Sequence, residues 1–77
     1  MKLYRIHTEK KDNIAGLCAE WFDGFTIIES KGYWQGKPED SITIEVLTES
    51  KRNIAMLCND LKLANNQVEV LQYAIEL

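Results

Sequence analysis

Hydrophobic positions recur along this chain with two different periods, and each change of period marks an element. Near the N-terminus Tyr4 and Ile6 fall on one side of an extended segment and Leu3, Arg5 and His7 on the other, the period-two pattern of a half-buried strand. The spacing then lengthens. Ile14, Leu17, Cys18, Trp21 and Phe22 recur every three or four residues, which predicts a helix with one apolar stripe. Phe25-Thr26-Ile27-Ile28 is β-rich and predicts a second strand. Ile42, Ile44 and Val46, opposed by Thr43, Glu45 and Leu47, predict a third. Ile54, Leu57, Cys58 and Leu61 return to helical spacing, and Val68-Glu69-Val70-Leu71 predicts a final strand.

The two helical segments are copies of one another. Thr8 to Cys18 aligned with Thr48 to Cys58 matches Thr, Glu, Lys, Asn, Ile, Ala, Leu and Cys, eight identities in eleven places at one constant offset. That offset puts Tyr4 and Ile6 in register with Ile44 and Val46, so both strands are expected to show their apolar side to the helices. Thr8 and Thr48 are the expected N-caps, with Glu9 and Glu49 near the positive helix ends. Gly24, after Asp23, is the expected end of the first helix. Lys10, Lys11, Lys51 and Arg52 then gather at the helix starts, where an ordinary solvated first turn is the reading favoured over a phosphate cradled by the free amides.

The order is β-α-β twice, a βαβ duplication within one domain spanning residues 1–77. Right-handed crossovers turn it into an α+β, ferredoxin-like βαββαβ arrangement, a four-stranded antiparallel sheet with two helices on one face. Lys31 to Asp40 holds the chain's single proline and two of its four glycines, as a hairpin tip would. The other sheet face is left bare, carrying Arg5, His7, Thr43, Glu45 and Leu47, and further along Glu69, Leu71 and Tyr73. A mixed, bare face on so small a domain predicts a homo-oligomer formed across the sheet.

Length sharpens that expectation, because 77 residues give a small core that usually needs a disulfide, a metal or another copy. Cys18 and Cys58 both fall on apolar stripes and read as small buried hydrophobes. His7 is the only histidine and the cysteines are far apart in sequence, so no metal site is expected. The N-terminus has no secretory pattern and no run approaches the roughly 20 apolar residues that span a bilayer, which predicts a cytoplasmic protein with no membrane partner. A net charge of −3 opposes binding to a nucleic-acid polymer but leaves room for a local site for a small anion.

Tyr33-Trp34-Gln35-Gly36-Lys37, then Glu39-Asp40, then the strand Ile42 to Thr48 resembles the matching stretch of the CutA proteins, relatives of the PII nitrogen-signalling proteins, and the order of elements agrees along nearly the whole chain. The resemblance implies a homotrimer whose open sheet faces pack around a central axis. It also implies a cleft between subunits at the base of the hairpin, where PII relatives bind adenine nucleotides and other small anions, with Trp34, Gln35, Gly36 and Lys37 nearby. Asn65 to Val70 stands where CutA proteins carry a His-Pro-Tyr stretch, and Phe25-Thr26-Ile27 where they carry a cysteine, and both departures weaken the divalent-metal link that the resemblance implies. The hairpin is much shorter than the T-loop of PII proteins. A looser pattern, Gly24-Phe25-Thr26, Gly32-Tyr33-Trp34-Gln35-Gly36, Asp40-Ser41 and Asn65-Asn66-Gln67, is similar to small proteins of phages and bacteria.

Candidate ligand-binding residues are therefore Arg5, His7, Tyr33, Trp34, Gln35, Gly36 and Lys37. The hairpin aromatics suit stacking on a planar ligand with Lys37 or Lys31 on a phosphate, and they also suit a clamp between subunits or a cross-strand aromatic pair, the role favoured for Tyr33. Arg5 and His7 suit an anion near a symmetry axis or pairing with Glu45 or Glu69. Asn65, Asn66 and Gln67 suit a polar ligand group or a helix C-cap. No Gly-rich phosphate loop, Cys/His nucleophile pair or serine elbow is present, so catalytic residues and cofactors are not expected. The expected function is non-enzymatic, an oligomer that binds or sequesters a small anionic, nucleotide-like ligand at subunit interfaces, for example a viral sponge for a host nucleotide signal. A protein-interaction or inhibitor module anchored by Trp34 and Tyr33, and a CutA-like metal-handling protein, are the alternatives.

Overall fold

Strand alternation and helical spacing resolve into β1 (Lys2–Glu9), α1 (Ile14–Trp21), β2 (Thr26–Trp34), β3 (Lys37–Thr48), α2 (Lys51–Asn65) and β4 (Leu71–Glu76). The computed structural model describes residues 1–65 and 70–76, with the backbone alone at Trp34, Asn65 and Glu76. The sheet order is β2-β3-β1-β4 and every neighbouring pair is antiparallel. This is the α+β, ferredoxin-like arrangement expected from the duplication.

One side of the sheet forms the core. Tyr4, Ile6, Ile42, Ile44 and Val46 pack against Ile14 and Cys18 of α1 and Ile54, Leu57, Cys58 and Leu61 of α2. Burying each large aliphatic side chain is worth about 1.5–3 kcal/mol, so the stripes and the alternation hold the layers together. Trp21 Nε1 donates to Asp60 Oδ2 at 2.8 Å and Asn53 Nδ2 donates to the Trp21 carbonyl at 3.2 Å, fastening α1 to α2.

The repeat also explains a difference between the helices. A Cβ on Gly16 would lie 2.3 Å from Asn13 Oδ1, because the Asn13 side chain folds over that position. In the second copy Asn53 reaches to Trp21 instead, and Met56 stands where Gly16 stands in the first.

Three sequence expectations about the element ends are corrected. Thr8 is buried on the helix side of β1, continuing the alternation of Tyr4 and Ile6, so it does not cap α1, which starts at Ile14 behind a left-handed Asn13 (φ 68°). Ser50 rather than Thr48 caps α2: Ser50 Oγ accepts from the Asn53 amide at 3.2 Å, while Thr48 Oγ1 accepts from the Ser50 amide at 3.0 Å. The first helix ends at Trp21 because Phe22 is extended, with its amide still donating to the Cys18 carbonyl at 3.0 Å, so Gly24 is not its stop. As a result Lys10 and Lys11 lie beyond the end of β1, not in a helix turn.

β2 runs well past Ile28, and β4 begins at Leu71, after a buried Val70. Asn66, Gln67, Val68 and Glu69 lie outside the described residues. The hairpin closes through the pair Trp34 and Lys37, with Gln35 (φ 51°) and Gly36 (φ 78°) both left-handed, a two-residue turn matching the twist of its strands. The Lys10 amide donates to the Asp40 carbonyl at 3.1 Å, so by alternation Pro38 also turns its backbone to the free edge of β3. Lacking an N–H, Pro38 offers no donor to an added strand there.

Candidate functional site

The register of β1 against β3 and β4 assembles the open face row by row. Arg5 lies opposite Glu45 on one side and Tyr73 on the other, and His7 lies opposite Thr43 and Leu71. Leu3 lies opposite Leu47 and Ile75. A polar middle is thereby set between apolar flanks. Ile28, Leu47, Leu71 and Tyr73 are exposed at 43%, 53%, 64% and 41%.

Within the polar middle, Arg5 Nε donates to Glu45 Oε2 at 2.7 Å. Hydrogen bonds with Glu45 and then Tyr73 hold the guanidinium above its ordinary pKa. His7 Nδ1 is 3.0 Å from Thr43 Oγ1, and its Nε2 is 3.4 Å from the Tyr73 hydroxyl. The two rings stack with centroids 5.6 Å apart. Each member of the chain Thr43, His7, Tyr73 carries a group that both donates and accepts, the chemistry of a proton relay.

Beside this network the hairpin stem leaves the main sheet and forms a shallow concavity of about 680 Å³. His7, Ser30, Tyr33, Glu39, Ser41 and Thr43 are among its walls. Ser30 Oγ and Ser41 Oγ are 2.9 Å apart across the stem. Most nearby cations already face carboxylates. Lys31 Nζ donates to Asp40 Oδ1 at 2.6 Å and holds that carboxyl below its usual range, Lys10 pairs with Glu29, and Lys11 Nζ is 3.5 Å from Glu9.

Of the residues singled out by sequence, Arg5 and His7 share the open face on either side of Tyr73, but only His7 and Tyr33 line the concavity and Arg5 does not, and Tyr33 remains 73% exposed. Gln35, Gly36 and Lys37 form the hairpin tip, apart from the polar network. The Trp34 side chain lies outside the described residues. Sequence reasoning placed Thr43, Glu45 and Tyr73 on this face and Glu39 in the hairpin without assigning them to a site, and missed Ser30 and Ser41. Their signal was period-two spacing on either side of the turn, readable only once the hairpin register is fixed by Gln35-Gly36.

Cys18 and Cys58 are free thiols in the core, and burial pushes Cys18 up to about 11. Among the described residues no group of three or more His, Cys, Asp or Glu is placed to hold a metal ion. No helix among them is long and apolar enough to cross a membrane.

No family model matches the chain, and no curated protein matches its sequence. Solved structures do match its fold. CPII, a nitrogen regulatory PII-like protein from Thiomonas intermedia bound to ADP, AMP and bicarbonate, superposes with a TM-score of 0.66 at 17% identity, over 99% of this chain and 90% of that one. CutA from Synechococcus elongatus gives 0.62 at 15% identity, over 99% and 75%. A phage SAM lyase in its apo state gives 0.61 at 14% identity, over 99% and 89%. The chain has the fold of the PII-like and CutA proteins.

Proposed function

We propose that the protein is a non-catalytic oligomer, a trimer in the cytoplasm, that binds and thereby sequesters a small nucleotide-like ligand where subunits meet over the open sheet face. The observation that carries this reading is the concavity where the hairpin stem meets that face. This chain supplies hydroxyls and aromatic edges to an open concavity, and a neighbouring subunit would close it. Exposed Ile28, Leu47, Leu71 and Tyr73 supply apolar area for the neighbour to cover. The ADP and AMP held by CPII on the same fold support a nucleotide-like ligand. An anionic group on that ligand must look to a neighbouring subunit or to Lys37 at the hairpin tip, which has no ion-pair partner among the described residues. A viral sponge for a host nucleotide signal is the form of this function that needs nothing but binding.

Native mass spectrometry of the gently purified protein, followed by denaturation and analysis of what is released, tests the reading. A closed oligomer releasing a stoichiometric nucleotide-like metabolite supports it, and an empty monomer contradicts it.

A second reading is enzymatic and is favoured by the Thr43, His7, Tyr73 chain together with the likeness to the SAM lyase. Incubation with S-adenosylmethionine separates the two. Products that disappear in Tyr73→Phe support turnover; intact substrate recovered in stoichiometric amount supports binding alone.

A further inference from the structure

Resting on that binding reading, we infer that the ligand seated in the concavity carries a positive centre, a sulfonium or ammonium group on a nucleoside-like body, rather than a phosphate. The concavity's own charges carry the inference. Its one lysine, Lys31, is held by Asp40 at 2.6 Å, and the cations around it are held in the same way, Arg5 by Glu45, Lys10 by Glu29 and Lys11 by Glu9. Glu39 is different. It lies on the open-face side of β3 opposite Gly32, lines the concavity, and has no ion-pair partner among the described residues.

A phosphate entering here meets an unopposed carboxylate and displaces no carboxylate from a lysine without breaking an existing pair. A cationic centre meets Glu39 and breaks nothing. Gly32, across the ladder from Glu39, adds no side chain to crowd it. Ser30, Ser41 and Thr43 continue along the same side of the hairpin, hydroxyls suited to the hydroxyls of a sugar, and His7, its ring stacked on Tyr73 behind it, closes the far end. The ligand class is thus a sugar-bearing, planar-ringed cation.

S-adenosylmethionine and S-adenosylhomocysteine differ by one methyl group and the positive charge it creates, so the pair isolates this term. Isothermal titration of the purified protein with both, and with AMP, is expected to give S-adenosylmethionine an advantage of about tenfold or more over S-adenosylhomocysteine, with AMP weakest. Glu39→Gln is expected to bring the advantage close to one; because Glu39 is exposed, the variant is expected to keep the wild-type circular dichroism spectrum. Equal affinities for the pair in the native protein, or tighter binding of AMP, overturn the inference and leave the nucleotide-binding reading standing. Binding of none of the three overturns the reading itself.

Discussion

Arg5 and Glu45 face each other directly across the β1–β3 ladder, with the guanidinium Nε donating to the carboxylate at 2.7 Å. This pair sits at the middle of the bare face, with Thr26 beyond Glu45 and Tyr73 beyond Arg5. Covering such a face with another copy desolvates both charges, which is tolerable only while they stay paired. Glu45→Ala is therefore expected to weaken self-association by about tenfold or more in sedimentation velocity, while Arg5→Met combined with Glu45→Leu restores it. Wild-type association by Glu45→Ala would place the assembly on another surface.

Trp21 joins the two helices through its indole N–H and its carbonyl. Trp21→Phe keeps the ring against the core and removes the donor to Asp60. Urea unfolding is expected to show a loss of about 1–2 kcal/mol, with an unchanged m-value.

Ser50 caps α2, the longer helix, which supplies Ile54, Leu57 and Leu61 to the core. Ser50→Ala is expected to cost about 1 kcal/mol in the same assay, and Ser50→Asp to cost little. Thr48→Ala is expected to cost less than Ser50→Ala, the reverse of what the sequence repeat suggests.

The buried thiols give a pH signature. Cys18 is raised from 9.0 to about 11 by burial, and Cys58 is raised by the same cause. For a raised group, the unfolded chain loses its proton first, so the contribution to stability is complete below pH 9.0 and is lost as the pH climbs toward about 11. Thermal midpoints are expected to fall across that window and to fall less in Cys18→Ala. At pH 8 the native thiols are expected to resist alkylation until denaturant is added.

Much of the fold was legible because period and repeat are local signals. The matched stripes at Ile14, Leu17, Cys18 and at Ile54, Leu57, Cys58 identified both helices, and Tyr4, Ile6, Ile44 and Val46 identified the face that they cover. The element ends were not legible for a reason the repeat itself supplied. Thr8 and Thr48 occupy equivalent places on the helix side of their strands, and only burial and register distinguish a threonine ending a strand from one capping a helix. β2 was read too short because Glu29, Ser30, Lys31 and Gly32 lie beyond the helices and have no apolar alternation to show. The site was half legible. Arg5 and His7 follow from alternation alone, whereas the pairing of Lys31 with Asp40 depends on which strand residues lie opposite, and the ligand expected from an unpaired Lys31 changes once that pairing is known.

The most direct test of the account is native mass spectrometry of the protein purified at low ionic strength, with the released small molecules identified after denaturation. The account expects a closed oligomer that releases one nucleoside-containing molecule per subunit boundary, lost together with the assembly in Glu45→Ala. A monomer carrying nothing, at concentrations well above those of the cell, would contradict it.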